Sequence, residues 1–105
     1  MMNIGKMMKK AQEMQENMKG LQQELAQIEV SGESGGGMVK VIMSGDRQVK
    51  SIVIEDELWQ EKDKSLIEDL VAAAVNAASQ IAEEKGKEEQ QKLMAGLPLP
   101  PGFSL

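Results

Sequence analysis

The sequence predicts an α+β fold with element order α-β-β-β-α: two long helices and a three-stranded antiparallel sheet. Three observations carry this. Apolar residues near the start recur in alternating steps of three and four. Two β-branched runs in the middle are separated by a three-residue turn. A wide apolar stripe then recurs at helical spacing before a Pro-rich close.

The first helix is expected over residues 3–27. Its seam is Ile4, Met7, Ala11, Met14, Met18, Leu21, Leu25 and Ile28, a heptad pattern sustained for over three repeats. Lys, Gln and Glu fill the intervening positions and are good helix formers. Gly20 lies off the seam, so it weakens the helix without disturbing the packing pattern. Residues 28–55 are expected to form the sheet. Glu29-Val30-Ser31 reads as a short strand and Gly32 to Gly37 as its connection. Met38 to Met43 and Gln48 to Glu55 read as strands around the turn Gly45-Asp46-Arg47. Such short loops require antiparallel pairing. Apolar residues occur on both faces of these strands, so partial cover is expected on both.

Residues 56–63 read as a connector. The second helix is expected over 64–95, started by a capping box of Ser65 and Glu68 with Asp63 as a competing cap. Its stripe is Ile67, Leu70, Val71, Ala74, Val75, Ala78, Ile81 and Ala82, mostly small at its centre, which suits close approach by another element. Gly86 is expected to fray it. Residues 96–105, with Pro98, Pro100 and Pro101, read as an extended tail, and the whole of 1–105 as one domain.

The first helix should extend about 36 Å at 1.5 Å per residue, whereas strands of five to seven residues span about 17–23 Å. The sheet cannot cover the whole seam. A second copy is the simplest cover, which places Ile4, Met7, Ala11, Met14 and Met18, with Val71, Ala74 and Val75, at a dimer interface. The alternative is that the seam packs on the second helix of the same chain.

Composition excludes much chemistry. The chain of 105 residues has no Cys and no His, so thiol nucleophiles, disulfides, Cys/His metal sites and His-dependent triads are ruled out. With no Tyr either, an enzyme has little left to use, and no cofactor, metal or small-molecule substrate is expected. The glycine run lacks the Gly-Lys-Ser/Thr ending of a phosphate-binding loop and precedes a strand. No stretch is apolar enough for a membrane span, and the absence of Cys fits the cytoplasm. The net charge is −5, so a nucleic-acid role must rest on local charge. The distribution is uneven: residues 1–28 carry four Lys against three Glu, a net of +1, while 29–60 and 61–105 each sum to −3. Lys6, Lys9 and Lys10 share one helix face at spacings of three and four. A solvated face with Glu13 and Glu16 completing intrahelical pairs is the plainer reading of the same residues.

Gly5-Lys6-Met7-Met8-Lys9-Lys10-Ala11-Gln12-Glu13-Met14-Gln15-Glu16-Asn17-Met18 resembles the opening of the YbaB/EbfC family of bacterial nucleoid-associated proteins. The likeness continues through Glu29 to Val41, Leu66 to Ala78 and Leu97 to Phe103, in order along the chain. The resemblance implies a homodimer with projecting helices that binds double-stranded DNA and affects nucleoid organisation and gene expression, in the cytoplasm and without enzymatic activity. Carried to matching positions, it implies DNA contacts from Lys6, Lys9, Lys10 and Lys19, and from Lys85, Lys87 and Lys92. Members often carry basic residues just after the Asn-x-Ala segment, where this chain has Ser79-Gln80; with Glu83, Glu84, Glu88 and Glu89 nearby, the first helix is the stronger candidate. Arg47 is the single Arg, which limits bidentate guanine readout. The alternative function is an acidic interaction or scaffold dimer that does not touch DNA.

Overall fold

The computed structural model describes residues 3–95. The Pro-rich tail therefore lies outside the described residues. The order is α1 (Ile4–Gln27), β1 (Glu29–Ser34), a 3-10 turn (Gly35–Gly37), β2 (Val39–Ser44), β3 (Val49–Ile54), α2 (Asp56–Gln60) and α3 (Lys64–Ala95). The sheet is antiparallel in the order β1-β2-β3.

Each of the two long helices starts at a polar cap. The Asn3 side chain accepts from Lys6 N at 3.2 Å and opens α1. Asp63, not Ser65, opens α3: Leu66 N donates to Asp63 Oδ1 and Ile67 N to its carbonyl, both at 3.1 Å. The competing cap wins, and Ser65 lies inside the helix. α3 also continues through Gly86 without fraying. One glycine costs about 1 kcal/mol in propensity, and the neighbouring ion pairs described below oppose that loss.

β1 is longer than expected and includes Gly32, which pairs with Val41. The reason is packing. A Cβ at Gly32 would stand 2.6 Å from the Ala74 carbonyl oxygen and 2.8 Å from Ala78 Cα. Bare backbone there lets α3 lie directly on the strand. The connection shrinks to Gly35, Gly36 and Gly37, with φ of 61°, 67° and 93°, a region where glycine meets no Cβ clash. Ser34 Oγ donates to the Leu70 carbonyl at 2.5 Å and ties this corner to α3.

The core lies between the sheet and α3: Val39, Val41 and Met43 of β2 against Ala74, Ala78 and Ala82, closed by Leu58. Burying a side chain such as Leu58 stabilises by about 1.5–3 kcal/mol. Leu58 belongs to α2, a short helix within the segment expected to be a plain connector. Ala74 is fully buried in this core, so it has no surface left for a second subunit, contrary to its expected place at a dimer interface. Partial cover on both faces is not what β3 receives. A helix about 10 Å across covers two strands spaced about 4.8 Å apart. α3 lies over β1 and β2, so Val49 and Ile52 of β3 stay exposed on that side, while Val53, paired with Lys40, is exposed on the opposite face.

α1 touches the body only near its end. Leu21 is buried, and a Cβ at Gly45 would meet the Leu25 carbonyl oxygen at 2.7 Å. Every residue from Asn3 to Lys19 is exposed. The molecule is accordingly long, 72 × 25 × 18 Å.

Gly32→Ala should lower stability by about 1–3 kcal/mol through overpacking, read as a lower urea midpoint at unchanged slope. Gly20→Ala has nothing within 4 Å of the new methyl and should raise stability by up to about 1 kcal/mol.

Candidate nucleic-acid interface

Two groups of lysines stand in opposite electrostatic settings. Lys6, Lys9 and Lys10 occupy the first two turns of α1, fixed by the Asn3 cap, and all are exposed. Among the described residues none of them has a carboxylate within 4 Å, and neither does Lys19. The intrahelical pairs to Glu13 and Glu16 that would neutralise this face do not form.

The lysines late in α3 are engaged. Lys85 lies 3.4 Å from Glu89 and 3.9 Å from Glu88. Lys87 lies 3.5 Å from Glu83. Lys92 lies 3.5 Å from Glu88 and 3.4 Å from Glu89. Hydrogen bonding from Lys85 is the main cause that holds the Glu89 carboxyl below its ordinary value, with Lys92 adding to it. The attraction of Glu89 chiefly raises Lys92 above its ordinary value. These are surface pairs, with Lys85 and Glu89 half-buried and the others exposed; each is modest individually, but they occupy the ammonium groups that a phosphate would need.

Two further cations are engaged, while Lys40, Lys62 and Lys64, like the α1 lysines, have no carboxylate within 4 Å among the described residues. Arg47, at φ 70° in the β2–β3 turn, donates to Ser79 Oγ from Nη2 at 2.8 Å and from Nε at 3.1 Å. Lys50 reaches Glu29 at 3.5 Å across the sheet. The turn is held by Ser44, whose hydroxyl donates to the Asp46 carboxylate and accepts from Gln48 N at 3.1 Å.

The proposed interface residues divide as well. Ile4 is 70% exposed, and Met7, Met14 and Met18 also stand in solvent. Ala11 is exposed beside them. Val71 and Val75 are half-buried against the core. They belong to a ridge, Ile67, Val71, Val75 and Ser79, that borders the alanine stripe. The Arg47–Ser79 contact sets this ridge on the side of the β2–β3 turn, whereas Leu70 meets Ser34 of β1. Exposed Val49 and Ile52 on β3, and Trp59 at 65%, extend the uncovered apolar surface. Sequence reasoning missed them as surface. The available signal was the pair of adjacent apolar residues Ile52-Val53, which must face opposite sides of a strand.

Among the described residues no cluster of three or more His, Cys, Asp or Glu is arranged to hold a metal ion. No described helix is long and apolar enough to cross a membrane. What the arrangement can do chemically is bring positive charge to a polyanion, on a helix that stands clear of an acidic body.

A model of the YbaB/EbfC DNA-binding family matches residues 1–97. The chain belongs to that family. It is thus a DNA-binding, nucleoid-associated protein. The fold is also that of the uncharacterized protein HP0035 from Helicobacter pylori, known from a crystal structure. The two superpose with a TM-score of 0.78 at 22% identity, over 90% of this chain and 99% of the other. In this YbaB/EbfC protein the family match spans α1, the three-stranded sheet and α3 alike.

The ion-pair network has a pH signature. A carboxyl held low contributes stability above its ordinary value of 4.5, lost as pH falls through the lowered value. An ammonium held high contributes fully below 10.5, lost as pH rises through the raised value. Carboxyl NMR titration should place the Glu89 midpoint below 4.5, and Lys85→Gln should move it back toward 4.5. An unmoved midpoint would remove the network.

Proposed function

We propose that this protein binds double-stranded DNA as a homodimer, with Lys6, Lys9 and Lys10 of both copies on the phosphates and Lys19 further along the same helix. In this reading the copies join through the α1 seam of Ile4, Met7, Ala11, Met14 and Met18, with Val71 and Val75 contributing at the flank. Lys85, Lys87 and Lys92 play a lesser part. The consequence is DNA organisation in the nucleoid and altered gene expression.

The observation that carries the reading is the contrast between the two lysine groups: unpaired on α1, paired to carboxylates on α3. Distance supports it. Lys10 lies eleven residues before Leu21, where α1 first becomes buried, or about 16 Å along the helix. Exposed charges separated by more than about 8 Å are largely screened at physiological salt. The basic turns therefore act at close range on DNA even though the chain carries −5. Lysine contacts to phosphate position a protein without reading bases, so the expected binding is weakly sequence-selective.

The open seam supports the dimer. An exposed Ile or Met forgoes about 1.5–3 kcal/mol of burial, and four such side chains line one stripe of α1. The 3-4 spacing suits a helix as the covering partner.

Titration of duplex DNA of mixed sequence at several salt concentrations tests the reading. With about six phosphates neutralised, log K should fall against log salt with a slope of about −5. Changing Lys6, Lys9 and Lys10 together to Glu should abolish binding and leave the fold and dimer intact. Changing Lys85, Lys87 and Lys92 to Gln should leave the slope nearly unchanged. A flat salt response with the dimer retained would favour the acidic scaffold instead. For the interface, Met7→Glu with Met14→Glu should shift the mass in sedimentation from two copies to one. A variant that remains dimeric moves the interface away from α1.

A further inference from the structure

We propose that the Pro-rich segment of one copy, Leu97 to Phe103, seats in a recess at the α2–α3 corner of a second copy, against Trp59. The recess has a volume of about 540 Å³ and is lined by Trp59, Lys62, Lys64, Ile67 and Glu68. Its size falls in the range of sites that take small ligands or a few side chains, about 300–1,000 Å³. Nothing in DNA recognition uses it.

The fold builds this recess. Leu58 is fully buried and anchors α2. Its neighbour Trp59 is therefore turned outward, and 65% of it is exposed. The chain then reverses through Lys62 at φ 55°, with Lys62 N donating to the Trp59 carbonyl at 3.2 Å. The reversal brings the start of α3, with Ile67, to the other wall. The result is an aromatic and aliphatic floor with polar ends.

The occupant is argued from composition and reach. Residues 96–105 contain no charged side chain, in a chain of which 28% is charged. They carry Pro98, Pro100 and Pro101 interleaved with Leu97 and Leu99, then Phe103, the one Phe in the sequence. Pro-rich segments favour the polyproline II conformation, which is pre-ordered and docks on aromatic-lined grooves. The same copy cannot supply it. From Glu68, the lining residue nearest the end of α3, to Ala95 is about 40 Å of helix. Phe103 can stand at most about 29 Å from Ala95 even when fully extended. A second copy is the source that remains within this chemistry. The proposal needs two copies to associate but none of the α1 lysines, so its failure and a failure of DNA binding register in different assays.

Trp59 is the one Trp in the sequence, so its fluorescence reports on the recess without labelling. Acrylamide quenching is measured on the full chain across the concentration range of association. It is compared with a full-length variant carrying Pro98→Ser, Pro100→Ser, Pro101→Ser and Phe103→Ser. In the unaltered chain the quenching constant should fall about twofold as copies associate, as expected when an exposed ring becomes half-covered. The variant should keep the high quenching constant while light scattering still finds two copies. A synthetic peptide of residues 96–105, added to that variant, should shift Trp59 emission to the blue and saturate. Equal quenching of both chains overturns the proposal. If both are low, the folded part of the second copy covers Trp59; if both are high, nothing does. A peptide that leaves the emission unmoved overturns it too.

Discussion

The close approach of α3 to β1 governs the rest of the architecture. Gly32 offers no side chain, and Ala74 and Ala78 offer only methyl groups, so helix and strand meet backbone to backbone. That contact uses the small stripe of α3 inside the chain's own core. It also sets the helix over β1 and β2, leaving β3 open. With one helix committed to the sheet, α1 has only its end, Leu21 and Leu25, to attach to the body. The projecting helix follows from the packing of the other.

Projection and charge then work together. A chain with more acid than base would hold its lysines poorly for a polyanion if they were spread evenly over its surface. Here the acids that flank lysine on α3 form pairs, and those on α1 do not. Order along the helix favours some of these pairs but does not separate the two helices. Glu placed four residues before Lys is the better orientation, as in Glu83–Lys87 and Glu88–Lys92. The poorer order, Lys four residues before Glu, occurs on both helices: Lys85 pairs with Glu89 at 3.4 Å on α3, whereas Lys9 and Glu13 on α1 form no pair within 4 Å. α3 also carries six acids against four Lys where α1 carries three against four, so the two helices differ in electrostatic availability.

Much of the fold was legible in the sequence because each helix and strand carried its own period. The heptad seam of α1 and the β-branched runs at 38–43 and 48–55, each within one residue of the observed strands, needed no tertiary knowledge. What was not legible depended on partners distant in sequence. Gly32 reads as a loop residue until Ala74 and Ala78, more than forty positions later, are placed against it. Ala74 and Val75 are neighbours in one apolar stripe, and only the position of β1 shows that the first is core and the second borders it. α2 is five residues long, too short to show a period. Asp63 and Ser65 were competing caps on local grounds alone, and the hydrogen bond to Leu66 N decides between them. The basic turns of α1 were visible as a candidate site from spacing. The family match covers them within residues 1–97 without assigning a role to any one lysine.

The crossing of α1 over the body is made from very small parts. Leu25 rests on Gly45 and near Gly86, with Leu21 beside it. From Leu21 to Lys6 is a rigid arm of about 22 Å. A tilt of about 5° at such a fulcrum sweeps the far end by about 2 Å, the difference between a hydrogen bond and none. The direction in which the arm points is therefore set by two hydrogen atoms standing where other residues would carry carbon.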